Sequence, residues 1–161
     1  MKNKLLIILL FIIGIGVGII AYYMITTSVD GDLGGKFYLE QKYYGKNDFV
    51  KVNSKDISRL RKENYLLFTY NNYCTFPKPC EDVFKEFITH YNVAILSIPF
   101  DEYKKTSFYK KVRYAPSVII IKNGNVVDYL DANSDLDLAR YQDADEFRKW
   151  LEKSIYFTKK K

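Results

Sequence analysis

Two cysteines, Cys74 and Cys80, have the clearest capacity for chemistry in this sequence. They are the only cysteines in its 161 residues, and five residues separate them. Such a pair can exchange with a partner's disulfide, close a stabilising disulfide, or remain as two separate thiols. Exchange requires a thiolate of depressed pKa, a second thiol within reach and a backbone edge that holds the partner. The spacing leaves all three alternatives open, so the compartment and the surrounding elements must be considered.

An uncharged apolar run, Leu5–Met24, indicates where the protein resides. About 20 residues in a helix span roughly 30 Å, the thickness of a bilayer's hydrocarbon core. Lys2 and Lys4 precede the run, whereas Asp30 and Asp32 follow it. Because positive charge favours the cytoplasmic side, we expect a cytoplasmic N-terminus and an extracytoplasmic remainder.

A cleaved signal peptide is the alternative interpretation of this run. The run is longer than the 7–15 apolar residues usual in a signal peptide, and no clear small-x-small cleavage site follows it. We therefore expect an uncleaved, single-pass anchor over residues 1–27 in a bacterial cell membrane. An exported domain rarely meets nucleic acid, so the net charge of +6 is interpreted as a solvated basic surface near an anionic membrane.

The rest of the chain alternates strand and helix signals. The glycine-containing residues 28–45 are interpreted as a linker with a short strand at Lys36–Glu40, residues 46–155 as one folded domain, and residues 156–161 as a basic tail. Apolar runs and helical spacing predict an α/β domain, a mixed sheet with helices on both faces. The predicted elements, in order, are a helix from Asn53, a strand at Leu66–Tyr70, a helix at Glu81–Tyr91, a strand at Asn92–Ile98, a helical segment at Pro99–Arg113, a strand at Val118–Ile121, a turn at Asn123-Gly124, a strand at Val126–Leu130 and a helix at Asp143–Lys153.

This order resembles the thioredoxin family. Cys74 lies between a buried strand and a helix, an aromatic residue, Tyr73, precedes it, and Pro116 opens a later strand. The resemblance covers roughly residues 48–152. The sequence departs from the family's usual CxxC pattern, because CTFPKPC holds five residues between the cysteines.

The resemblance implies a role for each residue of the candidate site. Cys74 would be the attacking cysteine, and Cys80, in the first turn of the helix, the resolving one. The Ala115–Pro116 bond would be cis, and Tyr73, Ala115 and Pro116 would shape the groove that holds an extended substrate.

The function implied is a membrane-anchored thiol-disulfide oxidoreductase that acts on exported proteins through Cys74 and Cys80. Its partners would be exported protein thiols or disulfides, or a membrane redox partner. One alternative is a redox-inactive thioredoxin-like binding module, similar to bacteriocin transport accessory proteins, in which the two cysteines form a structural disulfide. Another is an adhesive or scaffolding surface protein.

Other chemistry has less support in the sequence. His90 is the only histidine, so a site of two cysteines and two histidines for zinc is not available, and neither is a Cys-His hydrolase. A run of acidic residues lacks the glycine and closing glutamate of an EF-hand loop and is interpreted as a solvated turn: Asp128, Asp131, Asp135 and Asp137. We therefore expect no metal and no cofactor.

Overall fold

The computed structural model describes residues 35–71 and 78–158. Its strands, β1 to β7, are Phe37–Tyr38, Phe49–Lys51, Tyr65–Tyr70, Ile95–Pro99, Ser117–Lys122, Asn125–Tyr129 and Ile155–Tyr156. Its α-helices, α1 to α5, are Ser54–Arg59, Cys80–Tyr91, Phe100–Tyr103, Leu138–Gln142 and Ala144–Leu151, and 3-10 turns occur at Gln41–Tyr43 and Ser107–Lys110.

Within these ranges, no helix is both long and apolar enough to cross a membrane. The predicted anchor at Leu5–Met24 lies outside the described residues, and so do Tyr73 and Cys74.

Five strands form the central sheet in the order β2-β4-β3-β5-β6. Strands β2 and β3 run parallel to β4, whereas β5 runs antiparallel to β3 and β6 antiparallel to β5. The predicted mixed sheet is therefore confirmed. Its central strands β3 and β5 are buried almost throughout, as their apolar sequences predict.

Helices cover both faces of this sheet, also as predicted. Phe68 of β3 packs edge-on against Phe84 of α2 at a centroid distance of 5.3 Å, and Phe84 contacts Phe147 of α5 at 4.5 Å. Successive residues of a strand point to opposite faces, so Leu67 lies on the other side. Leu67 is fully buried, so that face is covered as well; helix α3 contacts β3 and β4, and its Tyr103 is fully buried.

Local signals account for most helix boundaries. Asn53 caps α1 in a capping box with Asp56, since the Asn53 side chain accepts the Asp56 backbone N–H and the Asp56 carboxylate accepts that of Asn53. Helix α2 ends before Asn92, which adopts a left-handed φ of 51°. The strand predicted from Asn92 consequently begins only at Ile95.

Two segments differ from the predicted elements. Residues 99–113 form the four-residue helix α3 and a separate 3-10 turn, because Thr106 between them is extended. The helical spacing predicted four inward residues in this segment; Tyr103, Phe108 and Val112 are buried, and Phe100 is partly buried. The short helix α4, which was not predicted, begins at Leu138, directly after the acidic run that we interpreted as a solvated turn. The last residue of that run, Asp137, is buried.

The ends of the domain are joined by a second, two-stranded sheet. Strand β1 pairs in parallel with β7, with Phe37 opposite Ile155. The Tyr44 hydroxyl donates a hydrogen bond to the Tyr156 carbonyl at 2.7 Å. Phe37, Tyr44 and Ile155 are buried. The fold therefore includes residues before position 46, within the segment interpreted as a linker.

Candidate functional site

Cys80 is the first residue of α2, as expected of a cysteine in the first turn. Its side chain is only 3% exposed. Pro79 occupies the position before the helix, and Glu81 and Asp82 follow in the first turn. The partial positive charge of a helix N-terminus stabilises a thiolate, whereas the two carboxylates oppose one. Because Cys74 lies outside the described residues, the pairing of the two sulfurs stays a prediction.

The second part of the site is the segment before β5. The Ala115–Pro116 bond is cis, as the resemblance implies. The Asn71 side chain, just after β3, donates a hydrogen bond to the Ala115 carbonyl at 3.1 Å. Tyr114 is 56% exposed beside this bond. Pro116 itself is buried, and the carbonyls of Ala115 and Pro116 accept hydrogen bonds within the domain. The exposed part of this edge is therefore Tyr114, and the substrate-binding role of Ala115 and Pro116 stays a prediction.

Tyr141 of α4 connects these two parts. Its hydroxyl lies 2.8 Å from the Pro116 carbonyl and 3.0 Å from the Leu130 carbonyl, and these two acceptors share its single proton. Its ring contacts Phe84 at a centroid distance of 5.9 Å. Phe84 is one helical turn after Cys80, so the two residues lie on the same side of α2. Tyr141 therefore links the helix that begins with Cys80 to the cis-proline edge.

The electrostatics of Tyr141 agree with this position. The residue is fully buried, and burial is the main cause that raises its pKa above the ordinary range. Cys80 contributes a smaller rise to the same pKa. Tyr141 is accordingly a neutral hydroxyl that can donate a hydrogen bond at physiological pH.

Helix α4 also contacts the loop that precedes Cys80. Gln142 donates to the Lys78 carbonyl at 3.3 Å, and the Lys78 ammonium pairs with Glu86 at 3.3 Å. This ion pair reduces the positive charge that Lys78 offers to a thiolate. The sequence reasoning missed Asn71, Tyr141 and Gln142, because neither periodicity nor a motif distinguishes them from turn residues.

The remaining candidate residues have structural contacts. His90, at the end of α2, is exposed with its ring 4.6 Å from that of Tyr91. Asp137 accepts a hydrogen bond from the Asp131 backbone and pairs with Arg140. In the two described ranges, no group of three or more His, Cys, Asp or Glu side chains is arranged to hold a metal ion.

The sheet order, the cysteine at the start of α2 and the cis proline before β5 define an α/β protein with a thioredoxin-like sheet. No protein-family model matches the sequence, and no curated protein is similar enough to count as a relative.

Several solved structures share similarity with the chain. A putative oxidoreductase with a thioredoxin fold is 14% identical, with 65% of this chain and 93% of that chain covered at a TM-score of 0.49. A mutant thioredoxin from Halobacterium salinarum is 18% identical, with coverages of 67% and 91% and a TM-score of 0.47. The oxidised thioredoxin from Plasmodium falciparum is 18% identical, with coverages of 66% and 95% and a TM-score of 0.47. These similarities are too low to assign a family or an activity, so the fold assignment rests on the topology.

Proposed function

We propose that this protein is a membrane-anchored thiol-disulfide oxidoreductase that acts on exported proteins outside the cytoplasm. The observation that carries the proposal is the placement of Cys80 at the start of α2, linked through Phe84 and Tyr141 to the cis Ala115–Pro116 edge. This arrangement supplies a thiol at a helix N-terminus, and the exposed Tyr114 beside the cis bond is where a partner would bind. The apolar run Leu5–Met24 supports the anchor.

The reaction proceeds by two exchanges of sulfur partners. The Cys74 thiolate attacks one sulfur of a substrate disulfide, which forms a mixed disulfide and releases the other substrate sulfur as a thiolate. The Cys80 thiolate then attacks the Cys74 sulfur, so the Cys74–Cys80 bond forms and the second substrate thiolate leaves. Two electrons pass from the pair to the substrate, and the reverse sequence oxidises a substrate dithiol. The burial of Cys80 suits a resolving thiol, which attacks only within the protein.

A redox-inactive binding module is the second candidate. The same burial of Cys80 favours it, because a buried sulfur is protected from exchange with partners. The carboxylates of Glu81 and Asp82 act in the same direction. In this case the two cysteines form a structural disulfide, and the cis-proline edge binds an envelope partner.

The reduction potential of the Cys74–Cys80 pair separates the two candidates. We would equilibrate the detergent-solubilised full chain in glutathione buffers and trap its thiols. A reversible transition above about −270 mV supports the oxidoreductase. A disulfide that becomes reduced only at potentials below about −300 mV supports the structural role. Absence of any Cys74–Cys80 bond under oxidising buffers contradicts both.

Single cysteine variants test the order of attack. In Cys80→Ser the mixed disulfide with a substrate cannot be resolved, so it should accumulate through Cys74. In Cys74→Ser no such adduct should form, since Cys80 is buried. Equal amounts of mixed disulfide in the two variants would contradict the roles of Cys74 as attacking and Cys80 as resolving cysteine. Labelling of intact cells with a membrane-impermeant thiol reagent, using the reduced protein, tests the extracytoplasmic placement.

A further inference from the structure

A cavity with no residue of the candidate cysteine site in its walls lies beside α1. Its volume is about 180 Å³, and its walls come from α1, the segment after α3 and the turn between β5 and β6. Ile57 and Phe108 contribute apolar surface. The polar lining consists of two cations and four hydroxyl groups, with no carboxylate among the lining residues: Arg61, Lys105, Ser54, Ser58, Thr106 and Ser107.

Thr106 has a hydroxyl that the fold does not satisfy. Its Oγ1 is buried and has no hydrogen-bond partner among the described residues. Thr106 precedes the 3-10 turn at Ser107–Lys110 with an extended backbone, yet its side chain does not cap that turn. The hydroxyls of Tyr65 and Thr69 are unsatisfied as well, but neither residue lines this cavity. Buried hydroxyl groups are normally hydrogen-bonded, so the Thr106 hydroxyl is a donor left for an acceptor from outside the chain.

The charge of the cavity is positive. Lys105 pairs with Glu102, and the Glu102 carboxylate also accepts from the Ser54 hydroxyl at 2.8 Å. Hydrogen bonds from Lys105 and then Ser54 lower the pKa of Glu102 to about 2, so this pair stays ionised and neutral overall. Arg61 has no carboxylate partner in the described part of the chain. Its guanidinium therefore provides the uncompensated charge.

The backbone at Arg61 is held against the hairpin turn. A Cβ atom added to Gly124 would lie 2.0 Å from the Arg61 carbonyl oxygen, so the two backbones are in direct contact. The Gly124 N–H donates to the neighbouring Glu63 carbonyl at 3.2 Å. This contact fixes one wall of the cavity before any ligand arrives.

We infer that this cavity binds a phosphate group, with Arg61 as the charged ligand and Thr106 as a hydroxyl donor. The Ser54 and Ser58 hydroxyls donate to Glu102 and to the Lys55 carbonyl, so Arg61, Thr106 and Ser107 are the groups left for a ligand. A phosphate has several strong acceptor oxygens, which match a guanidinium and hydroxyl groups in one small volume. The group belongs either to inorganic phosphate or to a lipid headgroup of the membrane beside the domain. Only the headgroup source rests on the proposed anchor; the site itself is independent of the redox function.

Thermal unfolding of the full chain in a phosphate-free, non-ionic detergent tests the inference. One arm titrates inorganic phosphate at constant ionic strength, and the other titrates a short-chain phosphatidylglycerol. The variants are Arg61→Gln, Thr106→Val and Thr106→Ser, with Arg59→Gln as the matched control. Arg59 is exposed, pairs only loosely with Asp56 at 3.9 Å, and does not line the cavity.

We expect saturable stabilisation of the wild type, with an apparent Kd that rises at least tenfold in Arg61→Gln and Thr106→Val. Arg59→Gln and Thr106→Ser should stay within about twofold of the wild type. If only inorganic phosphate stabilises the protein, and does so through Arg61, the ligand is free phosphate. If only the lipid does so, the ligand is a headgroup. Either result supports the site. Absence of saturation in both arms, or an equal loss in Arg59→Gln, would overturn it.

Discussion

The phenol of Tyr141 is the side chain whose removal best tests the link between the cysteine helix and the cis-proline edge. Tyr141→Phe keeps the ring contact with Phe84 and removes the hydrogen bonds to the Pro116 and Leu130 carbonyls. We expect a loss of about 1–2 kcal/mol in the free energy of unfolding. We also expect roughly tenfold slower reduction of a model disulfide, because the edge is no longer held relative to Cys80.

Tyr103→Phe provides the matched control for that substitution. The Tyr103 hydroxyl is also buried and donates to a carbonyl, that of Val112, at 3.1 Å. Its removal should lower stability by a similar amount and leave the rate of disulfide reduction unchanged. Equal rates in the two variants would show that Tyr141 acts on stability alone.

Among the elements, the turn between β5 and β6 has no space for an added methyl group at Gly124. Gly124 has a φ of +71°, and its missing Cβ would lie within the Arg61 backbone. Gly124→Ala should lower the free energy of unfolding by about 1–3 kcal/mol or more, measured by urea unfolding. Asn123→Gly is the control, since Asn123 has a φ of +50° that glycine adopts readily. A change within 0.5 kcal/mol in both variants would contradict the close backbone contact.

Strand β7 is the element that closes the domain onto β1. Ile155 is only 1% exposed, whereas Leu136 is 86% exposed. Ile155→Ala should cost about 2–5 kcal/mol in unfolding free energy, because it leaves a cavity between the two ends of the domain. Leu136→Ala should change stability by less than about 0.5 kcal/mol. A small effect of Ile155→Ala would show that the β1–β7 pair does not stabilise the domain.

At the scale of the whole molecule, buried tyrosines set the alkaline limit of stability. Desolvation is the leading cause that raises the pKa of five of them above the ordinary value of 10.0: Tyr43, Tyr44, Tyr65, Tyr103 and Tyr141. The unfolded chain releases these protons near pH 10, whereas the folded protein retains them. Stability should therefore be insensitive to these groups below pH 10 and fall as the pH rises above it.

Absorbance of tyrosinate, followed together with far-ultraviolet circular dichroism, checks this expectation. Exposed tyrosines should ionise near pH 10 while the helix signal persists. The five buried tyrosines should ionise at higher pH, at the same point at which the helix signal disappears. Ionisation of all tyrosines in one phase before unfolding would contradict the assigned burial.

The sequence by itself determined the features that depend on neighbouring residues. The apolar runs predicted β3 and β5, Asn123-Gly124 predicted the hairpin turn, and Asn53 predicted the start of α1. Each of these signals lies within a few residues, where backbone preference and the period of burial act. The resemblance to the thioredoxin family added the cis bond before β5, which general preferences for trans peptides do not predict.

Only the tertiary structure decided which distant residues meet. Tyr141 and Pro116 are 25 positions apart, and Tyr44 and Tyr156 are 112 apart. No local pattern encodes such pairs, because they depend on how helices pack on the sheet and on where the chain ends return. The same holds for Asn71 beside Ala115. The sequence therefore indicated the cysteine and the proline of the candidate site, whereas the packing of α4 decided what connects them.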